Sequence, residues 1–323
     1  MNRFLALLLG ALCLLTAVAA LAQDSYPSKP VRLLVSDTPG SAPDVLARKV
    51  APEVAARMGQ PWVVENRPGG GHLITAEACA KAPPDGYTLC ITNITMLTNN
   101  PLLAAKLPYD ADRDFRPVTN LFYLVEGFFA KNALPIKNAD DLRALALARP
   151  GSLNFATLGA NTNTDIFIKW LNGYWKSQIA AIPYKGGSLI VGAVIAGEVD
   201  FAKIGASSTA GQIKAGKLKV LAFNSAKRLR LYPEVPTMDE VGLGGFDVRS
   251  WMGLSMPAGA PDAAVRRVNA EFVRVYREPG FNEFLEAQFL DSAVGTPEEF
   301  GAFLKADRER AAKLIKQFNI PRQ

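Results

Sequence analysis

One unit occurs twice in this chain and constrains it more than anything else in the sequence. Val31–Val35 is a short apolar run, rich in β-branched residues and closed by turn formers, as a buried strand requires. Asp37-Thr38-Pro39-Gly40-Ser41-Ala42 follows as a loop. Pro43 then suits the first turn of a helix, where its missing N–H costs nothing and Asp44 faces the positive dipole end. Val45, Leu46, Lys49-Val50 and Val54 carry that helix to Gly59. About 120 residues later Leu153–Thr157 reads as a strand, Leu158–Asn163 as a polar Gly-containing loop and Thr164–Trp175 as a helix. A tight loop between strand and helix N-terminus gathers unpaired backbone N–H groups, which makes an anion site. The same residues also suit an ordinary βα turn.

The intervening chain keeps this alternation. Trp62–Glu65 reads as a second strand, Asn66–Gly71 as a loop, His72–Lys81 as a helix and Tyr87–Thr92 as a third strand after the turn Pro83-Pro84-Asp85-Gly86. Strands alternating with helices imply a parallel sheet covered on both faces, an α/β fold. Pro101, Pro108 and Pro117 mark an irregular stretch up to Val118, and Leu121–Ala130 is extended. Asn138, with Asp141 three residues on, caps a helix ending before Pro150. Helices over Ser188–Ala196 and Ser208–Ala215 flank a strand at Val199–Ile204, and a strand at Lys219–Phe223 leads the chain back to the first unit. The last third is helical, apart from an extended Phe246–Ser255. Thr237 with Glu240 forms a capping box, and Val265, Val268, Phe272 and Val275 mark a helix face. Thr296-Pro297-Glu298-Glu299 starts a helix whose stripe (Phe300, Phe303-Leu304, Ala311, Leu314-Ile315, Phe318) must dock on a lobe.

The amino terminus carries Arg3, an apolar run from Phe4 to Ala20 and an Ala20-Leu21-Ala22 site, the pattern of a signal peptide cut after Ala22. Cleavage takes 22 of 323 residues and leaves 301, enough for two domains, and the loss of Arg3 lowers the formal charge from +6 to +5. Lys217-Leu218-Lys219 and Lys227–Arg230 are local solvated clusters, not the aromatic-laced basic stripe of a nucleic-acid binder. Cys79 and Cys90 survive cleavage; they either pair in an oxidising compartment or sit as small buried hydrophobes.

Catalytic equipment is sparse. The chain has one histidine, His72, and it reads as a helix-start residue; no G-x-S-x-G elbow accompanies it. Metal ligation lacks ligands, and no phosphate-binding glycine motif follows a strand. Asp140-Asp141 and Glu298-Glu299 stand at helix starts, where capping accounts for them. An exported α/β chain of this kind is expected to bind, with no metal or cofactor, rather than to catalyse.

Eleven short segments carry a family resemblance: Tyr26–Arg32, Glu65–Gly69, Pro84–Leu89, Leu107–Asp110, Pro183–Gly187, Ile213–Leu218, Ser225–Arg228, Pro233–Thr237, Ser250–Leu254, Pro257–Pro261 and Thr296–Phe300. In this order and spacing the chain resembles the tripartite tricarboxylate transporter solute receptors, the Bug-type periplasmic binding proteins, over essentially its whole mature length. The resemblance implies a two-lobed, hinge-closing fold of the type II-like Venus-flytrap kind. Residues 23–123 and 225–323 would form one lobe and residues 124–224 the other. It implies a periplasmic monomer that takes a small carboxylate, zwitterionic or aromatic acids included, to separate permease subunits; a receptor presenting its loaded form to a sensor kinase is the alternative. Backbone N–H groups and waters of the two loops would pinch the ligand. The expected contacts are Asp37, Thr38, Pro39, Gly40, Ser41 and Asp44 on the first loop, with Asn93. On the second lobe they are Gly159, Asn161, Thr162, Asn163, Thr164 and Lys203.

Two departures from the family pattern bear on specificity. Ser41 replaces a second glycine, and Asp37 stands where relatives carry an aromatic or apolar residue. A carboxylate there would repel an acidic ligand unless it points away, meets a cation on the ligand or pairs with a protein cation, for which Lys203 is the candidate. Asp165, just inside the second helix, is a further charge that dipole complementarity can explain.

Overall fold

The computed structural model describes residues 26–225, 227–246, 248–318 and 320–322; the expected signal peptide lies outside them. Two sheets organise the chain. The strands are β1 (Val31–Val35), β2 (Trp62–Asn66), β3 (Thr88–Asn93), β4 (Phe115–Leu124), β5 (Glu126–Lys131), β6 (Asn154–Thr157), β7 (Ala180–Pro183), β8 (Phe201–Gly205), β9 (Leu218–Asn224), β10 (Trp251–Pro257) and β11 (Leu290–Ser292). The first sheet runs β11-β4-β10-β3-β1-β2 and the second β7-β6-β8-β5-β9. β1 is parallel to both β2 and β3, and β6 to both β7 and β8, so each sheet holds a strand of the repeated unit between parallel neighbours. The helices are α1 (Ala42–Met58), α2 (Leu73–Ala80), α3 (Asn100–Leu103), α4 (Ala139–Ala148), α5 (Asn163–Trp175), α6 (Gly187–Ala196), α7 (Ala210–Lys214), α8 (Asp262–Tyr276), α9 (Pro279–Ala287) and α10 (Pro297–Gln317).

Strand alternation sets the layers. Val31, Leu33 and Val35 point into one core with α1 and α8, through Leu46, Val50, Val54, Val265 and Phe272. Leu34 points the other way, to Cys79 and Cys90. Those two cysteines form a disulfide, with Cα atoms 6.2 Å apart, which ties α2 to β3. The apolar stripe of α10 covers this second face with Phe300, Leu304 and Leu314. Its end reaches the other sheet, where the Phe318 ring lies 6.1 Å from that of Trp170 on α5.

The chain passes between the sheets at Val125 and again between β9 and β10. The extended run read as Leu121–Ala130 is therefore two strands in two sheets. β4 begins at Phe115 and includes Pro117, earlier read as irregular; there β4 pairs only with β10, because β11 reaches only Phe122–Leu124, so proline's missing N–H is not needed. The reciprocal Thr237–Glu240 bonds form, yet they close one turn only, ended by Gly242 at φ 73°. The Thr296–Glu299 box does start α10. β7, every residue of it exposed, and the pair α9–β11 had no sequence signal.

Gly253 in β10 lies beneath the Phe300 ring, which a Cβ there would overlap. Gly253→Ala should displace α10 and cost about 1–3 kcal/mol, read as a lower urea midpoint; an unchanged midpoint would show that this packing is not tight.

Candidate functional site

The two repeated loops share one construction. After β1 the chain turns through Gly40 at φ 80°, and Ser41 enters α1 at φ −72°, ψ 161°. After β6 it turns through Asn161 at φ 62°, and Thr162 enters α5 at φ −70°, ψ 160°. Glycine and asparagine are residues that tolerate this left-handed conformation. In each loop an acid at the third helical position reaches back to the turn: the Gly40 N–H donates to Asp44 Oδ2 at 2.9 Å, and the Asn161 N–H to Asp165 Oδ2 at 3.0 Å. One helical turn on, a cation completes each brace. Arg48 Nε donates to Asp44 Oδ1 at 3.0 Å, and Lys169 Nζ to Asp165 Oδ2 at 2.8 Å.

Burial pushes the Asp44 carboxyl up. The Gly40 N–H and the Arg48 guanidinium outweigh that and hold it below the ordinary carboxylate range. Asp44 is therefore engaged by its own loop, and Asp165 likewise, and neither is among the residues that line the cavity. The caps differ. Thr162 accepts from the Asp165 N–H, whereas Ser41 makes no side-chain cap bond and its Oγ is buried without a partner.

Both helix starts open on one cavity of about 90 Å³. Asp37, Ser41, Ala42, Pro43 and Asn93 line it from the first sheet's side, and Leu158, Thr162, Asn163, Thr164 and Ser207 from the second's. Thr38, Pro39, Gly40, Asp44, Gly159 and Asn161 shape the loops without being walls, and Pro39 and Gly40 are exposed. The two sides of the cleft touch at its rim. A Cβ on Gly186 would meet Thr38 Oγ1 at 3.2 Å, and one on Gly71 would lie 3.5 Å from the Ala160 carbonyl oxygen.

Lys203 is not the partner of Asp37. It is fully buried behind the wall, paired with Glu126 and flanked by the Phe167 and Phe246 rings at 5.3 and 5.4 Å. A buried ammonium among aromatic rings needs a carboxylate close by, and β5 supplies one on the same face, two residues from Phe128, the register partner of Lys203. Glu126 also accepts from Ser250 Oγ at 2.9 Å, and Asn163 Nδ2 donates to Ser250 Oγ at 2.6 Å. Glu126, Ser250 and Ser207 are cavity residues that sequence reading did not name as contacts: no motif marks Glu126 or Ser207, and Ser250 entered only as the first residue of the segment Ser250–Leu254. The Gly40-x3-Asp44-x3-Arg48 and Asn161-x3-Asp165-x3-Lys169 spacings were readable as a second copy of one device. His72 stands at the N-cap position of α2, the helix start its place in the sequence suggested, without a side-chain cap bond; it also lines the cavity, with Nδ1 buried and unpartnered. With Ser41 Oγ, Asn163 Oδ1 and Ser207 Oγ it makes four orphaned polar atoms on residues of this wall.

Two sheets joined by paired crossings, with two helix N-termini on one cleft between them, define a two-lobed binding protein of the periplasmic type. Comparison with known proteins agrees. Residues 46–320 match the Tripartite tricarboxylate transporter family receptor (TctC), and the chain belongs to that family. It is 33% identical over 298 residues to the UPF0065 protein of the tcbD–tcbE intergenic region of Pseudomonas sp. strain P51, covering 92% of this chain and 88% of that one. It is 28% identical over 323 residues to BugT of Bordetella pertussis, covering 98% of each. Among solved structures it is similar to Rpa4515 of R. palustris with adipate (TM-score 0.87, 26% identity, 92% of this chain and 99% of that one). It is also similar to the periplasmic binding protein BugD (TM-score 0.86, 26% identity, 92% and 100%) and to MatC of Rhodopseudomonas palustris with bound malate (TM-score 0.83, 26% identity, 90% and 100%).

Two outcomes test this geometry. Because the folded Asp44 carboxyl lies below its unfolded value, its contribution is fully present above about pH 3.9 and is lost as pH falls through the folded value. The stability gap between the wild type and Asp44→Asn should therefore be constant near neutrality and close in strong acid, by urea melts across pH; a gap that widens in acid would contradict the brace. Lys203→Met strands Glu126 and should cost about 3–5 kcal/mol, whereas Lys203→Met with Glu126→Gln should recover most of it.

Proposed function

We propose that this chain is an exported receptor that closes over a small carboxylate-bearing metabolite and delivers it to the permease of a tripartite tricarboxylate transporter. The observation that carries this reading is the convergence of two braced helix N-termini on one cavity between the two sheets. Among the described lining residues there is no lysine or arginine, so the carboxylate would be held by backbone N–H groups and hydroxyls. A helix N-terminus in a partly buried site favours an anion by up to about 2 kcal/mol. The adipate and malate held by relatives 26% identical support the ligand class.

In this reading the loop residues Thr38, Gly40, Gly159 and Asn161 shape the site, while Asp37, Ser41, Asn93, Thr162, Asn163 and Thr164 touch the guest. The lobes divide near residues 124 and 225, and the receptor works in the periplasm without making or breaking a bond. Protein refolded from denaturant, to strip any carried-over ligand, should melt higher with adipate, malate or another small acid of a panel. The gain should be about 2.7 kcal/mol at a hundredfold excess over Kd, with the acid recovered unchanged. Conversion of the acid, or no shift with any panel member, would end this reading.

A further inference from the structure

We propose that the cavity selects guests bearing an N–H donor beside the carboxylate, a primary ammonium above all, and that Asp37 determines this specificity. The inference rests on the receptor reading above and adds the chemistry of the guest's other end. Its first support is the orientation of Asn163, which is 5% exposed. Ser250 Oγ gives its proton to Glu126, so it can only accept from Asn163, and the Asn163 amide must turn its Nδ2 that way. Its Oδ1 is thereby fixed as a buried acceptor without a partner on a residue of the cavity wall. No carboxylate can satisfy an acceptor; an ammonium or hydroxyl can.

The second support is charge. Two acids line the cavity, Asp37 and Glu126. Lys203 neutralises Glu126 from behind. Among the described residues the Asp37 carboxylate accepts only from a neutral donor, Ser36 Oγ at 3.1 Å, and no lysine or arginine lines the cavity there. The two helix starts offer roughly half a positive charge each. A plain dicarboxylate would bring two negative charges to a wall that already holds one. A zwitterion places its carboxylate on the helix starts and its cation against Asp37.

The third support is placement. Thr38, next to Asp37, packs on Gly186, and a Cβ on Gly187 would lie 3.5 Å from Ser208 Oγ, so the 186–187 turn brings Asp37 and the Ser207–Ser208 pair to one side of the cleft. Ser207 Oγ is itself without a partner. A primary ammonium has three donors, enough for Asp37, Ser207 and Asn163. A quaternary ammonium would match the charge and leave the acceptors unpaired.

The test is calorimetric titration of ligand-stripped mature protein with matched pairs: alanine against propionate, glutamate against glutarate, and alanine against its N-trimethyl form. The amine-bearing acid should bind at least about tenfold tighter than its plain partner, which is about 1.4 kcal/mol, and trimethylation should abolish the advantage. Asp37→Asn should weaken the amino acid about tenfold and tighten the plain acid, reversing the ratio. Ser207→Ala should weaken the amino acid alone, and reads the same contact should Asp37→Asn fail to fold. Propionate or glutarate binding as tightly as its amino partner, or an unchanged ratio in Asp37→Asn, would overturn the inference and leave the carboxylate receptor standing. Failure of every acid, plain or amino, to bind would overturn both.

Discussion

Each loop of the cleft is held by a carboxylate that its own helix supplies, and the site depends on that bond. A helix start can present N–H groups to a guest only if the preceding turn does not collapse onto them. Asp44 and Asp165 prevent this by taking the N–H of the turn residue four positions back, leaving the first N–H groups of α1 and α5 without intrahelical partners. The positive dipole end favours an acid at that position, and Arg48 and Lys169 secure it from one helical turn further on. The two helix-entry residues adopt φ and ψ within two degrees of one another, although one loop turns on glycine and the other on asparagine. Preorganised donors of this kind cost little ordering when a ligand arrives.

The cavity floor is built from the crossings. Glu126 opens β5 directly after Val125, where the chain first changes sheet, and Ser250 precedes β10, where it returns. Their mutual bond, with Asn163 from the start of α5 and Lys203 from β8, joins both crossings to the guest-facing wall through one buried network. A group in contact with Asn163 is therefore one hydrogen bond from Ser250 and two from Glu126, the residues that flank the two crossings. Phe318, packed near Trp170, adds a third link between the halves.

Local chemistry made much of the fold legible. β1, α1 and the closing Gly59 follow from a β-branched run, a proline at the first turn and a left-handed C-cap. The Asn138 cap and the Thr296–Glu299 box form as their spacing requires. The same chemistry misleads at Thr237, where the box closes a turn and Gly242 stops it. It is silent at β7, whose residues are all exposed and show no alternation, because that strand exists by pairing with β6. Pairing across a sheet edge leaves no periodicity of its own.

By itself the sequence determined the repeated strand–loop–helix unit, the alternation of layers and the residues that brace each turn, since all of these act within eight or so neighbours along the chain. Only the tertiary structure decided which distant groups meet: that Lys203 belongs to Glu126, that Cys79 is bonded to Cys90, and that the Asn163 amide gives its Nδ2 to Ser250. Partners 77 or 87 residues apart are chosen by sheet register and by burial, where an unpaired charge costs too much to leave alone, and neither quantity exists until the two sheets have formed.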